Sequence, residues 1–247
     1  MNNMNNMNSE EINKNILKSN TSLVGIVCKD GIVMGGDRRV TAGNLIMDKS
    51  YQKLMKVNEY ILVSYTGGVA DAQLTNKLIA AEMRLKELKT KTRPTTKEAA
   101  HLLSMMTYRN IRSPAMLMNI VGTLMAGVDE DGNTELYTIE PAGGIYKVKE
   151  YDANFSSGMP YILGLLERQY RKDLTVKEGV ELAKEALKSS TQRDSGSGNG
   201  IDIFTITKDG IKHVVSEQIV CSLVVCLLIL HILLMIYCSY HQVGYEF

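Results

Sequence analysis

The order in which strand and helix patterns alternate is the feature of this chain that constrains its fold most. Short segments with strand-type alternation come in blocks, and two helical patterns separate each block from the next. A doubly wound parallel sheet would need one helix after every strand. The pairing of the helices therefore predicts a one-domain α+β fold with antiparallel sheets inside and helix pairs outside.

The first strand block begins abruptly at Thr21. Residues 22–28 and 32–37 are rich in apolar residues, and Asp30-Gly31 between them is a dipeptide typical of hairpin turns. Residues 1–20 are rich in Asn and lack the apolar core of a secretory signal. We expect this segment to be a tail outside the folded domain.

Helical periodicity occurs in two pairs of segments. In the first helix, apolar residues recur at helical spacing and predict one apolar face. Its members are Leu74, Leu78, Ala81, Leu85 and Leu88. Arg93-Pro94 ends this helix, and a capping box of Thr95 and Glu98 begins the second. A further capping box of Thr175 and Glu178 begins the fourth.

Composition argues against several classes of function. Lys and Arg number 28 and Asp and Glu number 27, so the net charge gives no reason to expect nucleic acid as a ligand. Three of the four cysteines lie after residue 220, which leaves Cys28 alone and predicts a reducing compartment without a disulfide framework. No phosphate-binding glycine motif occurs, and the four histidines lack metal-ligand spacing. We therefore predict neither a metal nor an organic cofactor.

The end of the chain is of a different character. Residues 219–238 are predominantly apolar, and no Asp, Glu, Lys or Arg occurs from Ile219 to Val243. About twenty such residues are enough to span a bilayer, so residues 219–247 are a candidate transmembrane anchor. Two alternatives stay open, namely an extension packed against a neighbouring subunit and a translated artefact.

Three polar residues near the first strands each have an ordinary explanation when taken singly. Thr21 begins the first strand, Asp37 ends the second, and Lys53 follows sixteen residues later. From Thr21 to about Ile219 the chain resembles a proteasome β subunit of the archaeal type. The segments that carry the resemblance are TSLVGIVCKDGIVMGGDRRVTAGNLIMDKSYQKL, YTGGVADAQ, SSGMPYILGLLE and QRDSGSGNGIDI. The resemblance implies the four-layer αββα sandwich of the N-terminal-nucleophile (Ntn) hydrolases.

The resemblance also implies a domain organisation and a reaction. Residues 1–20 would be a propeptide that the subunit itself cleaves off, and residues 21–218 would be the mature β domain. Cleavage would expose Thr21 as a nucleophile whose own α-amine, with an ordinary pKa near 7.7–8.0, acts as the base. While residues 1–20 stay attached, that nitrogen is an amide and cannot accept a proton.

The roles of the other site residues follow from the same resemblance. Lys53 would lower the pKa of the Thr21 hydroxyl, Asp37 would hold Lys53, and the Gly67 N–H would face the tetrahedral intermediate. The residues that would hold the threonine amine and its water are Ser157, Asp194 and Ser197. The residues that would line the specificity pocket are Val40, Tyr51, Met55, Tyr65 and Val69. This mostly apolar set predicts cleavage after hydrophobic residues, with Tyr65 narrowing the pocket.

One departure from the family pattern leaves an alternative function open. The family usually has Gly before the catalytic threonine, whereas this chain has Asn20. Asn is the next most tolerant residue of a positive φ, so self-cleavage is expected to be slow or to fail. The alternatives are a non-catalytic structural β subunit, left uncleaved at Asn20-Thr21, and a membrane-tethered hydrolase of small amides.

The resemblance finally implies partners and a location. We expect proteasome α subunits and other β subunits in stacked heptameric rings, an ATPase unfoldase, and unfolded polypeptides as substrates. The expected location is the cytoplasm, with a membrane tether only if residues 219–238 span a bilayer. The sequence leaves open the cleavage preference and whether other β types share the ring.

Overall fold

Two five-stranded sheets, one two-stranded sheet and four helices make up the part of the chain that the computed structural model describes, residues 20–114 and 120–219. The first strands and helices, in chain order, are β1 (Leu23–Cys28), β2 (Gly31–Asp37), β3 (Val40–Ala42), β4 (Leu45–Asp48), β5 (Leu54–Lys56), β6 (Ile61–Gly67), α1 (Val69–Thr90) and α2 (Thr96–Arg112). Those that follow are β7 (Val121–Val128), β8 (Thr134–Ile139), β9 (Ile145–Lys147), β10 (Tyr151–Asp152), α3 (Met159–Gln169), α4 (Val176–Thr191), β11 (Gly200–Thr207) and β12 (Gly210–Gln218). The predicted order of strand blocks and helix pairs is therefore confirmed.

The strand order places the beginning of the domain in the middle of one sheet. The first sheet has the order β10-β1-β2-β11-β12, and the second has the order β5-β6-β7-β8-β9. β1 and β2 form an antiparallel hairpin in which Leu23 lies opposite Gly36. Cys28 pairs with Gly31, so the turn lies one residue earlier than the Asp30-Gly31 prediction. A small separate sheet pairs β3 with β4.

Strand alternation divides the core into two layers. On β6, Leu62 packs in a cluster with residues of both sheets, including Met34 and Leu124. Its neighbours Ile61 and Val63 belong instead to a cluster that contains residues of α1 and α2. On the other side of the molecule, α4 packs against β1 and β2. The predicted α+β fold with a helix layer on each side of two packed sheets is therefore what the structure has.

Helix α1 buries a different face from the one that its leucines suggest. The buried residues are Ala72, Thr75, Ile79 and Met83. The predicted apolar face exists at the predicted spacing, but its four leucines are 43% to 55% exposed. Two apolar stripes run along this helix, and the one with smaller residues at its N-terminal end lies against the second sheet. The sequence period alone does not distinguish between them.

The two predicted end segments lie almost wholly outside the described residues. Only Asn20 of the expected propeptide and only Ile219 of the apolar segment 219–238 are described. Among the helices of residues 20–114 and 120–219, none is long and apolar enough to cross a membrane. In that same part of the chain, no group of His, Cys, Asp and Glu side chains is arranged to hold a metal ion.

The two faces of α1 predict very different losses of stability for two adjacent substitutions. Ile79→Ala should lower the free energy of unfolding by about 2–5 kcal/mol, because Ile79 is fully buried between α1 and the second sheet. Leu78→Ala, the matched control on the exposed face, should change it by no more than about 0.5 kcal/mol in the unassembled chain. Urea unfolding of both variants measures this, and a larger cost for Leu78→Ala would contradict the assignment of the faces.

Candidate active site

Thr21 lies two residues before β1, and backbone hydrogen bonds hold this segment from two sides. Its residue exposure is 2%, and its carbonyl oxygen accepts the N–H of Gly158 at 3.2 Å. The next carbonyl, that of Ser22, accepts the N–H of Asp37 at 3.1 Å. The hairpin of β1 and β2 therefore brings the end of β2 beside Thr21, and the loop before α3 covers the opposite side.

Lys53 connects Thr21 with Asp37. Its Nζ donates to Asp37 Oδ1 at 2.7 Å, to Thr21 Oγ1 at 3.1 Å and to the carbonyl oxygen of Asn20 at 3.2 Å. Three acceptors thus match the three N–H groups of the ammonium. The side chains of both members of the ion pair are almost completely buried. The three residues that the resemblance singled out near the first strands do lie together.

The carboxylate of Asp37 is fixed by backbone donors as well as by Lys53. Oδ1 also accepts the N–H of Ser22 at 2.9 Å, while Oδ2 accepts the N–H groups of Arg39 at 2.9 Å and Gly198 at 3.0 Å. Four donors, the Lys53 ammonium and three backbone N–H groups, therefore hold both oxygens of this carboxylate in place. It can therefore orient the lysine and balance its charge.

Burial lowers the pKa of Lys53 below its ordinary value, and the charge and hydrogen bond of Asp37 oppose that change. A lysine in such a site releases its proton more readily than one in water. Because Nζ lies within hydrogen-bonding distance of Thr21 Oγ1, the arrangement can share a proton with that hydroxyl.

A second cluster lies at the backbone nitrogen of Thr21. This N–H donates to Ser157 Oγ at 2.9 Å, and Ser157 Oγ donates to Asp194 Oδ2 at 2.6 Å. Ser197 Oγ donates to the same carboxylate oxygen at 2.5 Å. The loop between α4 and β11 thus brings Asp194 and Ser197 to the start of β1. The geometry places a hydroxyl beside the nitrogen of Thr21 and a carboxylate behind that hydroxyl.

Gly67 ends β6 in a conformation that only glycine adopts easily. Its φ is +104°, and a Cβ there would lie 2.0 Å from the carbonyl oxygen of Ile120. Gly67 lines the same recess as Thr21, so the close approach of the β6 and β7 backbones keeps this wall of the site free of side chains.

The recess beside Thr21 brings together every predicted pocket residue. Its lining is formed by Thr21, Val40, Tyr51, Lys53, Met55, Tyr65, Gly67, Val69 and Ala72. Tyr65 is buried, which raises its pKa, and its hydroxyl donates to Asn76 Oδ1 at 3.3 Å. The predictions missed Ala72, although its position one helical turn after Val69 would have indicated it.

Sequence reasoning also missed three residues that hold the site together. Arg39 donates to Asn199 Oδ1 at 2.8 Å and to the carbonyl oxygen of Ser195 at 2.7 Å, and so it holds the loop that carries Asp194. Ser22 and Ser190 have hydroxyl oxygens 2.5 Å apart in the interior. The position of Arg39 two residues after Asp37 was a usable signal, whereas no local pattern indicates Ser190.

Asn20 packs closely against the loop after α4. A Cβ built on Gly196 would lie 1.8 Å from the Cβ of Asn20, so a side chain at position 196 would occupy the same space. The absence of a side chain at Gly196 therefore provides room for the residue that precedes Thr21.

Comparison with known proteins gives one consistent family. A sequence model of the family described as proteasome subunit matches residues 17–206. A proteasome subunit beta of Methanococcus maripaludis (strain C7) is 37% identical over 213 residues, which cover 86% of this chain and 94% of that protein. The proteasome subunit beta of Nanoarchaeum equitans is 38% identical over 197 residues, which cover 80% of this chain and 98% of that protein.

Removal of one charge from the buried ion pair should be costly. Asp37→Asn should lower the free energy of unfolding at neutral pH by about 3–5 kcal/mol, because Lys53 is then left buried without its counter-charge. Asp37→Asn/Lys53→Met should recover part of the loss, since no isolated charge remains. Equilibrium unfolding of the two variants measures the difference, and an equal loss in both would show that the backbone contacts of Asp37 dominate.

The lowered pKa of Lys53 predicts a dependence of stability on alkaline pH. Between that lowered value and 10.5, its ordinary value, the unfolded chain binds more protons at this residue than the folded chain does. The contribution of Lys53 to the free energy of unfolding should therefore rise with pH across this window. Lys53→Met should lack that rise, and parallel pH profiles for the two proteins would contradict the pKa direction.

Proposed function

This chain belongs to the proteasome subunit family as a β subunit that assembles into the proteasome core with other subunits, and we propose that it is a catalytic one, a threonine-type endopeptidase. The observation that supports this most directly is the contact of the buried Lys53 Nζ with both Thr21 Oγ1 and Asp37 Oδ1. A subunit with a purely structural role would have no need to bury an ion pair against a threonine hydroxyl, because such pairs cost desolvation.

The proposed reaction on substrates uses Thr21 as both nucleophile and base. The α-amine, free after removal of residues 1–20, takes the hydroxyl proton directly or through a water molecule. Oγ1 then attacks the carbonyl carbon of the scissile peptide, and the leaving amine takes the proton as the C–N bond breaks. Water hydrolyses the resulting ester and restores the hydroxyl. The Lys53 ammonium and the Gly67 N–H offset the negative charge that develops in each step.

The same groups, apart from the α-amine, account for the proposed self-cleavage. Thr21 Oγ1 attacks the carbonyl carbon of Asn20 and gives its proton to a water molecule. That water passes a proton to the nitrogen of Thr21 as the C–N bond breaks, so that an ester forms and the amine is released. Hydrolysis of that ester removes residues 1–20. The contact of Lys53 Nζ with the Asn20 carbonyl oxygen, at 3.2 Å, supports this step because it polarises the bond that is attacked.

The recess and the family suggest the substrates and the setting. A recess with a mostly apolar lining favours a hydrophobic residue before the cut, and the bulky Tyr65 in that lining should narrow it. We assign to the assembly α subunits, further β subunits in stacked rings and an ATPase unfoldase that delivers unfolded polypeptides. The proposed location is the cytoplasm.

The first test is the intact mass of this chain from particles assembled with an α subunit. The wild-type chain should begin at Thr21, and Thr21→Ala should retain residues 1–20. Thr21→Ser, the matched control, keeps a hydroxyl and should still be cleaved. A peptide epoxyketone should label Thr21 of the wild-type chain. A wild-type mass that includes residues 1–20, together with no label, would leave the non-catalytic structural subunit as the function.

The same spectrum bears on the end segment of the chain. A mature mass that includes residues 219–247, in particles that sediment with membranes, would support the anchor. Absence of these residues from the mature mass would remove the proposed basis for a membrane tether.

Substitution of Tyr65 should change the cleavage preference. Tyr65→Val enlarges the recess, so kcat/KM for a peptide with Phe before the cut should rise about 10-fold relative to one with Ala there. Tyr65→Phe keeps the ring and should change that ratio by less than about 3-fold. Rates are divided by the amount of labelled Thr21. Equal ratios in the two variants would exclude Tyr65 from the specificity pocket.

A further inference from the structure

A chain of buried hydroxyl groups extends from Asp194 through the interior. Ser197 Oγ donates to Asp194 Oδ2, Ser22 Oγ donates to Ser197 Oγ at 2.8 Å, and Ser190 Oγ lies 2.5 Å from Ser22 Oγ. Ser22, Ser190 and Ser197 are fully buried. The two serines at the far end belong to distant parts of the chain, because Ser22 precedes β1 and Ser190 lies on α4.

The number of protons fixes the direction of this chain. Each hydroxyl has one proton. Ser197 donates its proton to Asp194 and Ser22 donates its proton to Ser197, so in the last contact Ser190 is the donor. Every O–H therefore points toward the carboxylate. Hydrogen bonds aligned in this way polarise one another, so that each donor strengthens the next.

The carboxylate of Asp194 connects this chain of hydroxyl groups to Thr21 through Ser157. Asp194 Oδ2 accepts from Ser157 at 2.6 Å as well as from Ser197. The alternative acceptor for the Ser157 proton, the carbonyl oxygen of Thr21, is 3.1 Å away, and the shorter bond to a charged group is the stronger one. Because the O–H of Ser157 donates to Asp194, a lone pair of Ser157 Oγ is available to accept the N–H of Thr21.

The serine pair also contacts the backbone that holds Thr21. A Cβ on Gly158 would lie 2.0 Å from Ser22 Oγ and 2.1 Å from Ser190 Oγ, so the two hydroxyls pack directly against this glycine. The N–H of Gly158 donates to the carbonyl oxygen of Thr21. The pair is therefore connected to Thr21 by two independent routes.

We propose that Ser22 and Ser190 are positioning residues of the threonine site. Their paired hydroxyls fix the orientation of Ser197 and Asp194. Asp194 in turn orients the Ser157 hydroxyl, which accepts a hydrogen bond from the nitrogen of Thr21. The inference rests on the proposed function, since it assigns these residues to the same reaction. Neither serine lines the recess beside Thr21. Their loss should therefore act on the chemical step and leave peptide binding unchanged.

The test uses assembled particles and rates per labelled Thr21. Ser190→Ala should lower kcat roughly 3- to 10-fold, the effect of one lost hydrogen bond, while KM changes by less than about 2-fold. Ser189→Ala, on the same helix but at an exposed position, is the matched control and should leave both constants unchanged. Ser190→Cys keeps a side chain of similar size but replaces the hydroxyl by a weaker donor, so it should also lower kcat.

A double-mutant cycle distinguishes positioning from general loosening. Ser22→Ala interrupts the chain by itself, so Ser190→Ala in that background should change kcat by less than about 2-fold. Additive effects, a rise in KM, or a normal kcat in Ser190→Ala or Ser190→Cys particles would overturn the inference. If wild-type particles neither label at Thr21 nor cleave peptides, the proposed function itself fails. A normal Ser190→Ala enzyme beside an active wild type rejects this inference alone.

Discussion

The buried ion pair between Lys53 and Asp37 is the interaction on which the rest of the site depends. Asp37 ends β2 in the first sheet, and Lys53 directly precedes β5 in the second, so the pair joins the two sheets at one end of the sandwich. Burial of two charges costs several kcal/mol for each ion unless their hydrogen bonds are satisfied. Here they are satisfied, because backbone N–H groups donate to the carboxylate of Asp37 and Thr21 Oγ1 accepts a hydrogen bond from Lys53.

The part of this arrangement that is local in sequence could be predicted from the sequence. The turn between β1 and β2 makes a hairpin, and the hairpin register brings Asp37 beside the first residues of β1. Capping boxes at Thr95 and Thr175 set the starts of α2 and α4, and both are present in the structure. Such features involve residues within a few positions of one another, so propensity and hydrogen-bonding chemistry are enough to specify them.

The contacts across long stretches of chain could not be predicted in this way. No spacing rule brings Lys53 to Thr21 or the loop of Asp194 to Ser157, and only the resemblance to a family suggested those pairs. The link between Ser22 and Ser190 was not suggested at all, because a serine has many ordinary roles on a strand or helix. Likewise, α1 has two apolar stripes, and the packing of the whole helix against the second sheet selects the one that contains Ile79.

The uncleaved chain already has the hydrogen bonds that the proposed enzyme would need. The nitrogen of Thr21 donates to Ser157 Oγ, and the hydroxyl of Thr21 accepts from Lys53, while Asn20 is still attached. Breakage of the bond between Asn20 and Thr21 would therefore change the chemistry of one nitrogen, from amide to amine, without a need to move the groups around it. Preorganisation of this kind removes the cost of rearranging dipoles at the moment of reaction. It follows that the fold of the uncleaved chain sets the geometry of the site, so the residues that orient Ser157 and Lys53 would matter before any amine is released.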